Sequence, residues 1–248
     1  MPKFFVDKNQ IDGDIIKIVG EDSHHISRSL RMAVGEKIIV TDTDAMEYDC
    51  SLEVFGDGYV LARVEDKYPS ASEPKIKIHL YQALPKGEKL DFIIQKSVEC
   101  GVYDITPFES ERCIAKVKGD SEDRKTDRRN KIALEAAKQC GRGIIPKVNP
   151  TITFNAMIQS ALNSDAVLFC YEGTGTKPLG VVLKDLQETK ELNDLSIIIG
   201  SEGGFSSAEA NSMKDSGALM IGLGKRILRA ETAAIMSLSC LVYEFELT

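Results

Sequence analysis

Two short stretches of the chain place glycine beside charged and hydroxyl residues at the end of an apolar run. The first, IIIGSEGGFSSAE, covers residues 197–209, and the second, LGKRILRAETAA, covers residues 223–234. Glycines at such positions let backbone amides approach a ligand and permit positive φ angles. Lys225, Arg226 and Arg229 add positive charge beside the second bend. These features predict a small organic cofactor bound next to a polyanionic substrate.

The spacing of the residues alone does not exclude other interpretations of these stretches. The first is equally consistent with a tight strand-to-helix turn in which Ser206 or Ser207 caps the helix. Neither a Walker loop nor the G-x-G-x-x-G fingerprint is present, which disfavours phosphate binding. Glu231 suits the dipole at the start of a helix. A third stretch, YEGTGTKP over residues 171–178, also follows an apolar run, and three such loops indicate one cleft.

The elements that must position these loops alternate between strand and helix. Apolar runs predict strands at residues 76–83, 102–107, 166–171, 195–200 and 218–223. Helical periodicity predicts helices at residues 89–100 and 127–140, and from residues 207 and 231 onward. This order predicts an α/β domain with a mainly parallel sheet, whose ligands bind at the carboxyl edge.

The first 70 residues are predicted to form mainly short strands, with one helix among them. Strands are predicted at residues 37–41, 49–55 and 59–64, with an Asp-Gly turn before the last, and a helix at residues 23–32. The polar composition of segment 68–74 and the prolines near its ends predict a linker. We therefore expect a small β-rich barrel over residues 1–70 and the α/β domain over residues 71–248.

Charge is unevenly distributed along this acidic chain, whose formal net charge is −7 and whose pI is near 5.2. Residues 111–147 hold eleven Lys or Arg against six Asp or Glu, whereas residues 1–72 hold eight against fourteen. A polyanion would therefore meet a local patch rather than a basic surface.

Metal, disulfide and membrane chemistry are disfavoured. The chain has three histidines, two of them adjacent, and six cysteines with no C-x-x-C pair, so we expect no metal site and reduced thiols. The longest apolar runs are too short for a membrane span, and residues 1–4 begin no signal peptide. A cytoplasmic location is expected, with no membrane partner.

Six motifs in order carry a resemblance to a known family. They are HHISRSLRM, LPKGEKLDFIIQKSVECGV, ITPFESERC, KIALEAAKQCGR, IIGSEGGFS and LGKRILRAETAA. Together they resemble the ribosomal small-subunit (16S) RNA uridine-N3 methyltransferases of the SPOUT, or trefoil-knot, superfamily. One departure is Ser201, where the family usually has proline.

The resemblance implies an N-terminal PUA-like barrel and a C-terminal α/β domain whose backbone is knotted. It implies S-adenosyl-L-methionine as cofactor, 16S ribosomal RNA in the assembled small subunit as substrate, and a homodimer in which both protomers contribute to each site. The cofactor-binding residues implied are Tyr171, Glu172, Gly173, Ile199, Gly200, Gly203, Leu223, Gly224, Ile227 and Leu228.

For such a reaction, the chemistry and spacing of charged residues indicate which side chains act in catalysis and RNA binding, and the family motifs add weight to Arg112 and Arg142. Arg229 would stabilise the charge that develops on uracil and Glu202 would accept or relay its proton; the alternatives are a phosphate contact and a loop-bracing hydrogen bond. The expected RNA-binding residues are Arg28, Arg31, Arg112, Arg128, Lys131, Lys138 and Arg142. The last four recur at spacings of three, seven and four, which places them along one face of the helix predicted from residue 127. For them the alternative is an ordinary solvated surface.

Three other functions compete with uridine-N3 methylation. A ribose 2′-O-methyltransferase of the same superfamily typically has a Ser-Leu-Asn stretch where this chain has LRAETA. A non-catalytic RNA-binding module would not need glycines in all three loops. A nucleotide-binding Rossmann enzyme would need the glycine fingerprint that is missing here.

Overall fold

The computed structural model describes residues 1–115, 122–189 and 191–247. Contacts divide the chain into two compact units. The first comprises Met1–Glu73 and Ala137–Ile145, and the second comprises Pro74–Ala136 and Pro146–Thr248. The boundary predicted from the sequence, between residues 70 and 71, would place residues 137–145 in the second domain. Their contacts group them with the first unit.

The first unit is built on a six-stranded sheet. Its strands are β1 (Lys3–Phe5), β2 (Ile11–Asp12), β3 (Ile15–Val19), β4 (Lys37–Thr41), β5 (Met46–Gly56) and β6 (Tyr59–Pro69). Their order is β1-β4-β5-β6-β3-β2, and every neighbouring pair is antiparallel except β1 with β4. The predicted Asp-Gly turn joins β5 to β6, with Gly58 at φ +75°. The hydrophobic core of this unit includes Phe4, Ile16, Ile18, Ile26, Ile38, Val40, Leu52 and Val60.

The helix predicted at residues 23–32 begins and ends three residues earlier and is irregular. Helix α1 covers Gly20–His24 and continues as a π-helical turn over His25–Ser29. Arg31 then takes a positive φ of 53°, which ends the helical path. The strand β6 extends through Pro69, so the predicted linker begins later than its composition indicates.

A buried ion pair closes the first unit. The carboxylate of Glu73 accepts hydrogen bonds from Arg142 Nη2 at 2.6 Å, Arg142 Nε at 2.9 Å and the Gly143 amide at 2.6 Å. Desolvation alone would raise the pKa of Glu73, but the guanidinium and the amides outweigh it and lower that pKa. Segment 137–145 is therefore held by charge-assisted hydrogen bonds as well as by packing.

The second unit contains a parallel sheet flanked by helices. Its strands are β7 (Lys77–Ala83), β8 (Asp104–Glu109), β9 (Lys147–Val148), β10 (Ile152–Thr153), β11 (Ala166–Cys170), β12 (Lys177–Pro178), β13 (Asp194–Ile199) and β14 (Leu219–Gly222). The order is β10-β8-β7-β13-β11-β14-β12, with β9 beside β8, and all pairs among the described residues are parallel. The helices are α2 (Lys89–Glu99), α3 (Glu122–Cys140), α4 (Phe154–Ala161), α5 (Leu179–Thr189), α6 (Ser207–Asp215) and α7 (Ala230–Glu246).

Continuous apolar runs explain the central strands. Leu168 and Phe169 in β11 and Ile197 to Ile199 in β13 are buried, as expected for strands covered by helices on both faces. The predicted α/β class with a mainly parallel sheet and a small N-terminal β domain is confirmed. The knotted threading of the backbone stays a prediction.

One histidine links three strands at the amino edge of this sheet. His79 Nδ1 lies 3.1 Å from an oxygen of Asp104 in β8, and His79 Nε2 lies 3.0 Å from an oxygen of Asp194 in β13. Burial alone would lower the pKa of His79, but the two carboxylates outweigh it and raise that pKa. The ring of Tyr103 packs edge-on against the imidazole, and Lys77 lies over that tyrosine ring.

The described residues contain neither a membrane-spanning helix nor a cluster of metal ligands. No helix within residues 1–115, 122–189 and 191–247 is both long and apolar enough to cross a membrane. The same residues contain no cluster of three or more His, Cys, Asp or Glu side chains arranged to hold a metal ion.

Candidate active site

Three loops meet at one edge of the parallel sheet. Strands β13, β11 and β14 are neighbours, so their carboxyl ends lie side by side and the segments that follow them converge. These segments enclose a cavity of about 220 Å³. Its lining is Cys170, Tyr171, Glu172, Thr176, Ile199, Gly200, Ser201, Gly204, Phe205, Gly222, Leu223, Gly224, Lys225, Arg226, Ile227, Leu228, Ala230 and Ala233.

The loop after β13, residues 200–206, is anchored by its own aromatic side chain. The ring of Phe205 is buried, 4.3 Å from the ring of Phe169 and stacked at 6.3 Å on that of Phe108, measured between centroids. Gly204 has φ +61°, and a Cβ there would also lie 2.8 Å from Glu172 Oε1. The loop therefore needs glycine at this position to pass the neighbouring loop.

The same loop ends in a well-formed helix cap. Ser206 Oγ accepts the Glu209 amide at 3.2 Å, while Glu209 Oε2 accepts the Ser206 amide at 2.9 Å. This capping box begins α6, so Ser206 is the residue that takes the expected capping role. Glu209 Oε1 also accepts the Glu111 amide at 2.8 Å, which joins the loop after β8 to the same cap.

The loop after β14, residues 223–229, supplies the exposed charge. Gly224 has φ +104°, and Lys225 and Arg226 project to solvent at the cavity. Ile227 is 90% exposed although it is apolar. Arg229 is exposed at the N-cap of α7, and its guanidinium has no hydrogen bond or ion pair with residues that the structure describes.

The sequence prediction of cofactor-binding residues matches the cavity in large part. The lining includes Tyr171, Glu172, Ile199, Gly200, Leu223, Gly224, Ile227 and Leu228. Gly173 and Gly203 lie outside it. A Cβ on Gly173 would collide with the ring of Tyr171, and a Cβ on Gly203 would lie 3.0 Å from Arg112 Cβ, so both glycines make room for side chains.

Several lining residues were missed by sequence reasoning. They are Cys170, Thr176, Ser201, Gly204, Phe205, Gly222, Ala230 and Ala233, whereas Lys225 and Arg226, expected as charge beside the cofactor, do line the cavity. Most are direct neighbours of predicted residues, so taking each whole loop as the site would have found them. Burial raises the pKa of the Cys170 thiol to about 12, which makes this cysteine a poor nucleophile at neutral pH.

Glu202 does not line the cavity and is already paired. Its carboxylate accepts the Lys86 amide at 3.2 and 3.3 Å and Lys89 Nζ at 2.8 Å. Desolvation would raise the pKa of Glu202, but Lys89 and the amide outweigh it and lower that pKa. A carboxylate with a lowered pKa is a weaker proton acceptor, so this geometry favours the loop-bracing alternative for Glu202.

The predicted RNA-binding residues separate into two groups. Arg142 is only 3% exposed and is bound to Glu73, so the expectation that it contacts RNA is wrong for this conformation. Lys138 pairs with Asp22 at 2.8 Å, and Arg128 pairs with Asp91 at 2.5 Å although it remains exposed. The spacing along α3 therefore does not give one free basic face.

The other four predicted RNA-binding residues are exposed: Arg28, Arg31, Arg112 and Lys131. Arg112 Nη1 donates to the Gly203 carbonyl at 3.2 Å, which places this cation beside the loop after β13. Part of the basic segment 111–147, residues 116–121, lies outside the described residues.

Comparison with known proteins gives a consistent result over the whole chain. Residues 72–242 match the model of an RNA methyltransferase domain, and residues 18–65 match that of an RNA methyltransferase PUA domain. A Bacillus subtilis protein named ribosomal RNA small subunit methyltransferase E is 32% identical, covering 100% of this chain and 98% of its own. A protein of the same name from Buchnera aphidicola of Acyrthosiphon pisum is 30% identical, covering 97% and 92%.

A solved structure is similar over nearly the same length. It is a ribosomal RNA small subunit methyltransferase E from Neisseria gonorrhoeae bound to S-adenosyl methionine. It is 27% identical to this chain, covers 98% of this chain and 97% of its own, and superposes with a TM-score of 0.85.

Proposed function

The chain belongs to the RNA methyltransferase family whose model matches residues 72–242, and on that premise we propose that it methylates a uridine of 16S ribosomal RNA at ring nitrogen N3, using S-adenosyl-L-methionine. The single observation that supports this most is the cavity enclosed by three glycine-bearing loops at the carboxyl edge of a parallel sheet. The two full-length relatives named as ribosomal RNA small subunit methyltransferases support the substrate class.

The residues of the cavity fit such a cofactor. Ile199, Phe205 and Leu223 offer apolar walls for an adenosine group, while main-chain groups at the glycines can bind polar edges. A Cβ on Gly222 would lie 3.1 Å from Thr176 Oγ1, so glycine keeps this wall open. When bound, S-adenosylmethionine supplies a methyl group already activated on a sulfonium, so the protein mainly has to orient the acceptor.

The acceptor nitrogen of uracil needs help from the protein because it carries a proton between two carbonyls. Arg229 is the side chain we assign to stabilising the developing anion, since it is an exposed cation without a partner among described residues. It also adjoins Ala230, which lines the cavity. Glu202 is assigned to bracing the loop rather than to accepting the proton.

RNA contact is assigned to the exposed cations Arg28, Arg31, Arg112 and Lys131. Phosphate contacts of this kind position an RNA without reading its sequence. A uridine must be unstacked and turned into the cavity before its ring nitrogen can react. Few cations suffice if the assembled small subunit supplies the shape, and this agrees with the acidic net charge of the chain.

We further propose a homodimer that works in the cytoplasm, where its ribosomal substrate is located. Met236, Cys240 and Tyr243 on α7 line a shallow apolar groove beside Leu183 on α5, and Tyr243 is exposed. A second copy would cover this groove. Sedimentation equilibrium tests the assembly: Tyr243→Glu should shift a dimer of the wild-type chain toward monomer, and a monomeric wild type would refute it.

Mass-spectrometric mapping tests the reaction. Purified small subunits lacking the modification, and naked 16S RNA as the comparison, are incubated with the enzyme and methyl-labelled cofactor. We expect one labelled uridine, carrying the methyl group on N3, in subunits and much less label in naked RNA. A label on ribose, or on no uridine, would reject the proposal.

A further inference from the structure

One lysine outside the cavity holds two of its walls together. Lys89, at the first position of α2, has its Nζ 2.8 Å from Glu202 Oε1 and 3.5 Å from Glu231 Oε2. Glu202 belongs to the loop after β13, and Glu231 lies in the first turn of α7. We propose that Lys89 is a positioning residue, which holds two walls of the cofactor cavity in place by bridging these two carboxylates.

The bridge acts on elements that line the cavity directly. Gly200, Ser201 and Gly204 flank Glu202 in the loop, and Ala230 and Ala233 flank Glu231 in the helix. A displacement of either carboxylate therefore moves backbone that faces the cofactor. Lys89 itself does not line the cavity, so it acts through its two partners.

Charge explains why this lysine cannot be replaced by a neutral side chain without consequence. Two carboxylates lie within 3.5 Å of the same ammonium group, so its removal leaves like charges facing each other. Glu202 would lose its ammonium partner and keep backbone amides, those of Lys86 and of Glu202 itself. Glu231 Oε2 is buried and has no hydrogen-bond partner in the described chain, so the lysine is its one compensating charge there.

Isothermal titration with S-adenosylhomocysteine measures the effect without any turnover. We expect Lys89→Gln to weaken its binding by about tenfold, as loss of a charge-assisted contact typically does. Lys96→Gln is the matched control. Lys96 lies on the same helix, its side chain is 35% exposed against 33% for Lys89, and it pairs with Glu99 at 2.8 Å, away from the cavity.

Rescue variants distinguish bridging from a general loss of structure. Lys89→Arg keeps the positive charge and should bind S-adenosylhomocysteine nearly as well as the wild type. The double variant Lys89→Gln/Glu231→Gln removes the repulsion together with the lysine, so it should bind more tightly than Lys89→Gln alone. Equal weakening in the double and single variants would overturn the bridging account.

This inference rests on the proposed function, and the titrations separate the two. If the wild type does not bind S-adenosylhomocysteine, the proposed cofactor is wrong. If the wild type and Lys96→Gln bind it and Lys89→Gln binds it equally well, only the role of Lys89 is refuted. Circular dichroism of each variant, compared with wild type, verifies that it is folded; should Lys89→Gln unfold, Lys89→Arg against Lys89→Met decides the question.

Discussion

Arg229 is exposed to solvent at the amino-terminal end of helix α7. It precedes α7 as its N-cap in an extended conformation, with φ −67° and ψ 154°, between Leu228 and Ala230, which both line the cavity. A cation in this position can stabilise an anion that forms only during reaction.

Substitution of Arg229 separates binding from catalysis. We expect Arg229→Ala to lower kcat by about 10²-fold while the Kd for S-adenosylmethionine changes by less than about twofold, because the interaction forms in the transition state. Single-turnover kinetics and titration measure the two quantities. Lys184→Ala, an exposed cation on α5, is the control. Normal turnover of Arg229→Ala would show that its assigned role is wrong.

Glu202 gives the complementary test at the same scale. Loss of a general base costs about 10²- to 10⁴-fold in rate. The carboxylate is already bound by Lys89 and the Lys86 amide. We therefore expect Glu202→Gln to lower the rate by less than about tenfold, which is less than the loss expected for a general base. A loss of 10³-fold or more, with cofactor affinity unchanged, would restore Glu202 as the proton acceptor.

At the scale of elements, the capping box of α6 determines where the loop after β13 ends. Ser206→Ala removes the acceptor for the Glu209 amide, and we expect the free energy of unfolding to fall by about 1 kcal/mol. Urea denaturation measures it. Ser207→Ala, one residue later and exposed, is the matched control and should change stability little. Equal effects in both variants would contradict the assigned cap.

The histidine that joins β7, β8 and β13 makes the stability of the sheet depend on pH. Its pKa is raised in the folded state, so its contribution is complete below the unfolded value of about 6.5 and is lost as pH rises through the folded pKa. We expect the stability difference between wild type and His79→Gln to be largest near pH 6 and smaller near pH 8. A difference that grows with pH would contradict the two carboxylate contacts.

Local patterns explain why some elements could be predicted and others could not. The strands before the three loops are continuous apolar runs, so their positions and the convergence of the loops follow from sequence. Helix α5 was missed because it begins beside Pro178 and contains Gly180, residues that normally mark a turn. The short strands β1 and β3 were not predicted, and both depend on pairing with strands distant in the sequence, β4 and β6.

Contacts between distant residues account for the errors in the site. Arg142 continues the spacing of basic residues on α3, but the helix ends at Cys140, and the guanidinium turns into a buried pair with Glu73. Lys89 and Glu202 are likewise separated by 113 positions in the chain. No periodicity connects such pairs, because tertiary packing alone brings them together.

At the scale of the whole molecule, an acidic chain must bind RNA through a small number of cations. The salt dependence of binding should therefore be shallow, since each neutralised phosphate adds about 0.9 or less to the slope. We expect Lys131→Ala to reduce the slope of log K against log salt by about 1, whereas Lys184→Ala leaves it unchanged. Filter binding to small subunits over a salt series measures both, and an unchanged slope for Lys131→Ala would remove it from the interface.

The first unit combines two segments that are distant in the sequence, and this affects the order in which it can fold during translation. Segment 137–145 is synthesised long after Glu73, yet it carries the arginine that neutralises this buried carboxylate. A fragment truncated at residue 73 would retain the acid without its counter-ion, and so would a nascent polypeptide that had emerged only that far. The first unit can therefore complete this ion pair only after Arg142, and with it residues 74–136 of the second unit, has been translated.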